Sequence, residues 1–245
     1  MPAPPRLEAQ AALFLDVDGT LLEIVPRPDL VRVPRRLPTL LTALAARRGG
    51  ALALVSGRPL GQLDRLFPVW QGAAAGLHGL ERRDAQGGLV RIADRAARAA
   101  LDRLRAPLAE FARARPGLFL EDKGETIALH YRDRPQDEAE IRVLAESLAH
   151  AESALRLIAG KMVVEFQPRA ANKGAAIAAF MAEPPFRGRR PVFLGDDVTD
   201  EDGFAEVNRQ GGVSVRVGAP AMTAARYRLG SVPAALQWLG AALSA

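Results

Sequence analysis

The residues most suited to chemistry fall in four short strings. Asp16-Val17-Asp18-Gly19-Thr20 follows the apolar run Ala11 to Leu15. Two carboxylates one residue apart can enter one pocket only if the chain leaves a strand there, and Gly19 permits that turn. A lone Asp-x-Asp is more often an Asx-type turn, but the full five-residue string is rarer. Ser56-Gly57-Arg58, after Ala51 to Val55, offers a hydroxyl, a glycine amide and a guanidinium to a phosphate oxygen. Asn172-Lys173-Gly174 opens a helical pattern, where the backbone amides and an ammonium favour an anion. Arginine supplies 30 of the 33 basic residues, with lysine kept at 123, 161 and 173. Lys173 in so arginine-rich a chain points to a need for a compact point charge. The fourth string, Gly195-Asp196-Asp197-Val198-Thr199-Asp200-Glu201-Asp202, packs five carboxylates into seven residues after Val192 to Leu194. Such a cluster repels itself unless a cation neutralises it, and Mg²⁺ is the natural candidate. Glu201 and Asp202 also suit a helix N-terminus. Together the strings supply a nucleophile, a second carboxylate, phosphate binders and metal ligands.

Composition narrows the chemistry further. The chain has no cysteine, which excludes disulfides, thiolate metal sites and a cysteine nucleophile. Its three histidines, at 78, 130 and 150, lack the spacing of a helical zinc-hydrolase pair, so any metal should be held by oxygen. The net charge of +5 is modest, no basic run exceeds two residues and aromatics make up 5%. No nucleic-acid partner is expected. The first fifteen residues do not read as a signal peptide, and Leu229 to Ala245, interrupted by Pro233, is too short for a membrane span and reads as a packed terminal helix. A cytoplasmic location is the expectation.

These strings need elements that bring them together. The runs Ala11 to Leu15, Ala51 to Val55 and Val192 to Leu194 are apolar throughout, and with Val213 to Val217 they read as buried parallel strands. Helical periodicity between them, at Leu37 to Ala46 and Gly174 to Met181, predicts an α/β sheet with ligands gathered where the strands end. The middle of the chain breaks that rhythm. A helix over Asp94 to Ala114 precedes strands at Leu118 to Asp122 and Glu125 to Tyr131; a helix over Gln136 to His150 precedes strands at Leu155 to Ala159 and Met162 to Phe166. This order predicts an inserted α+β domain at 93–167, within a discontinuous Rossmann-like core made of 1–92 and 168–245.

With these strings the chain resembles the haloacid dehalogenase (HAD) superfamily of phosphotransferases and, within it, the trehalose-6-phosphate phosphatase family. The likeness extends to Gly76-Leu77-His78-Gly79 with Glu81, Glu121-Asp122-Lys123, His130-Tyr131-Arg132, Gly160-Lys161 running into Val164-Glu165, and Asp200-Glu201-Asp202-Gly203-Phe204. It implies a HAD-like core with an inserted cap and a Mg²⁺-dependent hydrolysis of trehalose 6-phosphate. Asp16 would be the nucleophile and Asp18 the general acid and base. Mg²⁺ would be held by Asp16, the Asp18 carbonyl and Asp196, with Asp197 and Asp200 orienting them. Ser56, Gly57 and Lys173 would hold the phosphoryl group. Glu121, Lys123 and Glu165 in the cap, with Arg58, His78 and Gly79 on the core side, would meet the sugar, Arg58 and Arg132 being the least defined. A monomer acting on a small sugar phosphate is the expectation. Sucrose 6-phosphate or a glycosyl-phosphoglycerate are the alternative substrates, and a non-catalytic basic protein that binds nucleic acid is the alternative class.

Overall fold

Apolar side chains on both faces of a strand require a covering layer on each face, and the central strand of this protein has both. In the computed structural model, which describes residues 1–25, 30–92 and 94–243, β1 spans Ala12–Leu15 and every residue in it is buried. Strand alternation sends Leu13 and Leu15 into one apolar cluster and Ala12 and Phe14 into another. Helix α1 (Leu37–Arg47) packs Leu41 and Leu44 into the first cluster. β2 (Leu52–Val55) repeats the alternation, with Leu52 and Leu54 on one face and Ala53 and Val55 on the other. Next come α2 (Leu60–Leu66), β3 (Ala73–Gly76), β4 (Glu81–Arg83) and β5 (Leu89–Arg91).

The middle of the chain forms α3 (Arg95–Arg113), β6 (Phe119–Asp122), β7 (Ile127–His130), α4 (Glu138–His150), β8 (Leu155–Gly160) and β9 (Val163–Pro168). The remainder forms α5 (Lys173–Met181), β10 (Pro191–Gly195), α6 (Glu201–Arg209), β11 (Val213–Val217), β12 (Tyr227–Leu229) and α7 (Val232–Ala241). Two compact units result, one of Met1–Arg91 with Asn172–Ala245 and one of Ile92–Ala171. The expected boundary residue Ala93 lies outside the described residues.

In the larger unit one eight-stranded sheet runs β12-β11-β10-β1-β2-β3-β4-β5. It is parallel from β12 to β3, while β4 and β5 join antiparallel. Helices α1, α2 and α7 cover one face; α5 and α6 cover the other with Phe180 and Phe204. The α/β parallel-sheet core is thus as the sequence predicts, but its sheet is wider. β3 reads Ala-Ala-Ala-Gly, a composition with no strand preference that becomes a strand because it is buried beside β2. The terminal segment also differs from a single packed helix: Leu229 closes β12, and α7 starts later behind Ser231, whose Oγ accepts from Ala234 N. Ser244 and Ala245 lie outside the described residues.

The smaller unit holds an antiparallel sheet in the order β6-β7-β9-β8. Its register sorts the side chains. Leu129 and Val164 are cross-strand partners, as are Ile127 and Phe166, and all four join Leu101, Leu104 and Leu108 of α3 and Ile141 of α4 in one apolar core. The opposite face carries the row Glu121, Ala128, Glu165 and Ile158, flanked by Thr126 and Gln167.

Candidate active site

At the end of β1 the Asp16 amide still bonds to the Leu194 carbonyl at 3.0 Å, so its side chain leaves from the last rung of the ladder. The chain then turns back on Val17, whose carbonyl accepts from the amides of Leu21 and Leu22. Gly19 has a positive φ of 87°, and a Cβ there would collide with the Asp196 carboxylate. Only glycine lets this loop lie against the end of β10.

Asp16, Asp196, Asp200 and Lys173 are all buried. Lys173 is the first residue of α5, whose N-cap Asn172 accepts from the Ala175 amide at 2.9 Å. Its Nζ donates to Asp16 Oδ1 at 2.8 Å and Asp200 Oδ1 at 2.6 Å. Asp200 Oδ2 accepts from the Asp196 amide at 2.9 Å and the Asp197 amide at 3.0 Å, tying the acidic string into a turn. Asp197 in turn accepts from the Val198 amide at 2.8 Å.

Three buried carboxylates share this place with one ammonium. Burial and the neighbouring Asp200 and Asp196 push the Asp16 carboxyl well above its ordinary range, against the pull of Lys173. Burial would lower Lys173, but Asp16 and Asp200 outweigh it and hold the ammonium protonated. One ligand atom from each of Asp16, Asp196 and Asp200 lies within 4.8 Å of the others. Asp16 Oδ2 is buried with no hydrogen-bond partner among the described residues. An orphaned carboxylate oxygen in an all-oxygen donor set with excess negative charge fits a hard divalent cation such as Mg²⁺.

Beside this cluster the Arg58 guanidinium grips Asp18 with two bonds, Nε to Oδ2 at 2.6 Å and Nη2 to Oδ1 at 2.8 Å. The Arg58 amide donates to Ser56 Oγ at 3.2 Å. His78 lies at the end of β3 with its amide on the Ser56 carbonyl at 3.0 Å and a positive φ of 55°. Its ring fills the space a Cβ on Gly57 would take, and Gly79 backs onto the Asn172 carbonyl.

In the smaller unit Lys123 Nζ donates to Glu165 Oε1 at 2.9 Å and lies 4.0 Å from Glu121 Oε2. His130 Nε2 is 3.0 Å from the same Glu121 oxygen. Burial alone would raise Glu121; the contact with His130 and the charge of Lys123 hold it below its ordinary range. Arg132 instead bonds to the Lys161 carbonyl at 3.2 Å.

Comparison with known proteins places the chain in a family. The trehalose-phosphatase family model matches residues 14–232. The trehalose-6-phosphate phosphatase of Escherichia coli (strain K12) is 48% identical over 237 residues, spanning 96% of this chain and 87% of that protein. The chain belongs to the trehalose-phosphatase family. This trehalose-phosphatase family member is a phosphoric monoester hydrolase. A probable trehalose-phosphate phosphatase of Sinorhizobium fredii is also 48% identical, over 91% of this chain and 83% of its own. The C-terminal domain of Candida albicans trehalose-6-phosphate phosphatase shares the fold, with a TM-score of 0.85 at 23% identity over 99% of both chains.

In this family member, the larger unit brings Asp16, Lys173, Asp196 and Asp200 into one cluster and Ser56, Gly57, Arg58, His78 and Gly79 into the adjoining strand ends. The Asp18 side chain is outside the carboxylate cluster and paired with Arg58. Glu121, Lys123 and Glu165 come together in the smaller unit. Two side chains that the sequence strings do not include, Thr126 and Gln167, join them. Gln167 stands two residues after Glu165 on one strand, so alternation would have placed it on the same face. Among the described residues no helix is long and apolar enough to cross a membrane.

Proposed function

We propose that this phosphatase hydrolyses trehalose 6-phosphate to trehalose and phosphate, in a Mg²⁺-dependent reaction through an aspartyl-phosphate on Asp16. The observation that carries this reading is the buried Asp16 carboxylate, with one oxygen held by Lys173, the other without a hydrogen-bond partner among the described residues, and two further carboxylates beside it. The likeness to the E. coli enzyme supports the choice of sugar.

In the first step an Asp16 oxygen bonds to phosphorus while the bond from phosphorus to the sugar O6 breaks, and Asp18 gives its proton to that departing oxygen. In the second, water bonds to the same phosphorus, Asp18 takes up the water proton and the bond to Asp16 opens, returning a free carboxylate and phosphate. Asp16, Asp196 and the Asp18 carbonyl would hold the metal, with Asp197 and Asp200 orienting them. Bound Mg²⁺ supplies the positive charge that offsets repulsion between an anionic nucleophile and a dianionic phosphate. Ser56, the Gly57 amide and Lys173 hold the transferring phosphoryl group. Arg58 holds the Asp18 carboxylate as an ion pair that Asp18 leaves in order to carry a proton, and His78 with Gly79 borders the sugar on the same unit. The smaller unit acts as the specificity domain, reading sugar hydroxyls through Glu121, Lys123 and Glu165.

The test is phosphate release from a panel of sugar phosphates with and without Mg²⁺. Release from trehalose 6-phosphate that stops on chelation is expected. Faster release from sucrose 6-phosphate would replace the substrate, and substantial turnover by Asp16→Asn would remove the nucleophile.

A further inference from the structure

The polar face of the smaller unit's sheet contains more machinery than three sugar-reading side chains. Glu121 on β6 and Glu165 on β9 both pair across to Ala128 on β7, so the two carboxylates stand in one row on either side of a small residue. Strands are about 4.8 Å apart, which separates the two backbones by roughly 10 Å. The side chains converge above β7, where the Lys123 ammonium lies 2.9 Å from Glu165 Oε1 and 4.0 Å from Glu121 Oε2.

A carboxylate that must discriminate hydroxyl positions needs a fixed orientation, because a glutamate has three rotatable bonds to lose. Here Glu165 is gripped at both oxygens. Thr126 Oγ1 donates to Oε1 at 2.8 Å, beside the Lys123 ammonium at 2.9 Å. Gln167 Nε2 donates to Oε2 at 3.1 Å. Thr126 and Gln167 are themselves 0% exposed. Gln167 is anchored in turn, its Oε1 within 3.5 Å of Arg156 Nη2, which also reaches the Ala171 carbonyl. Buried neutral donors that point at one carboxylate cost the protein desolvation, and a core of equal volume would be satisfied by apolar groups.

We propose that Thr126 and Gln167 are positioning residues that set the sugar specificity of this phosphatase by fixing the Glu165 carboxylate. They act through Glu165 and touch no reacting atom. This inference rests on the reading that Glu165 meets the sugar.

Near-isosteric variants isolate the donors. Thr126→Val and Gln167→Met keep the volume and remove one hydrogen bond each to Glu165, Gln167→Met also losing the long contact from Arg156, and Thr126→Ser restores the hydroxyl. The readouts are kcat and KM for trehalose 6-phosphate and for p-nitrophenyl phosphate, which has the ester but no sugar, together with the thermal midpoint. Each near-isosteric variant is expected to raise KM for trehalose 6-phosphate about tenfold, the usual weight of one hydrogen bond to a charged group. The kcat at saturation and both constants for p-nitrophenyl phosphate should stay within about twofold, and Thr126→Ser should return KM close to wild type. Unchanged KM in both near-isosteric variants, a Thr126→Ser variant as impaired as Thr126→Val, or a parallel fall with p-nitrophenyl phosphate would each overturn the proposal. The substrate reading fails separately: wild-type enzyme would then hydrolyse p-nitrophenyl phosphate but not trehalose 6-phosphate.

Discussion

Asp16 illustrates how a side chain suited to catalysis can be a burden to the fold. Its carboxyl is pushed up by burial and by the neighbouring Asp200 and Asp196. A carboxyl with a raised folded value binds more protons in the native state than in the unfolded chain. Stability therefore declines as pH rises through the window from the unfolded carboxylate range, about 4, up to the raised value. Removing the charge should relieve that cost. Metal-free Asp16→Asn is expected to melt no lower than wild type at pH 7, with the difference shrinking toward pH 4, while phosphate release falls by about a thousandfold or more. Mg²⁺ should raise the wild-type midpoint and leave the variant's nearly unmoved, since a ligand stabilises only the state that binds it. Differential scanning calorimetry across pH, with and without metal, checks both parts. Lys173→Met tests the other partner: it leaves Asp16 and Asp200 buried without their shared cation, and a loss of about 3 to 5 kcal/mol in denaturant unfolding is expected. At this scale the sequence was informative where chemistry comes as a contiguous string, as in Asp16 to Thr20 and Asp196 to Asp202. It was silent on the grip of Arg58 on Asp18, because residues 40 apart carry no mutual spacing signal.

Elements were legible where their own composition matched their environment. The apolar runs of β1, β2 and β10 could only be buried on both faces, and they lie at the centre of the sheet, whereas β11 alternates Val-Ser-Val-Arg-Val and is buried all the same. β3 and β4 were not legible, since three alanines and then Glu-Arg-Arg become strands only because a neighbouring edge offers them partners. In the smaller unit the break in rhythm was visible, but the two faces of its sheet emerge only from register. Phe166 is buried on the apolar face and Gln167 on the polar one. Phe166→Ala should cost about 3 to 5 kcal/mol in equilibrium unfolding through the cavity it leaves, well beyond the effect of Gln167→Met, which keeps its volume. Helix α3 gives a finer test. Asp94 Oδ1 accepts from the Ala97 amide at 2.9 Å, so Asp94→Ala should cost about 1 kcal/mol by the same measurement.

The whole chain carries a positive excess of +5, and this determines how it should respond to acid. Glu121, Asp122, Glu152, Glu183 and Glu206 are all held below their ordinary values; for all but Glu121 the first cause is a hydrogen bond from arginine, and for Glu121 the contacts with His130 and Lys123 overcome its burial. A carboxylate with a depressed folded value contributes stability that is fully present above its unfolded value, about 4, and is lost as pH falls through the folded one. Asp16 acts in the opposite sense over a higher window, so the two effects separate along the pH axis. Metal-free protein should hold or slightly gain stability from pH 7 to 5 as the Asp16 charge is relieved, then lose it steeply below about 4 as the five carboxylates neutralise. Neutralised carboxylates also leave the arginines unopposed, and their mutual repulsion adds to the loss. Most of the five pairs are exposed and individually weak, so salt should act differently on the two limbs. Added salt should screen the general repulsion and flatten the acid limb, but leave the Asp16 limb in place because that carboxyl is buried. Thermal midpoints between pH 3 and 8 at low and high ionic strength decide the matter: an acid limb insensitive to salt would mean that its cause is not the arginine-paired surface.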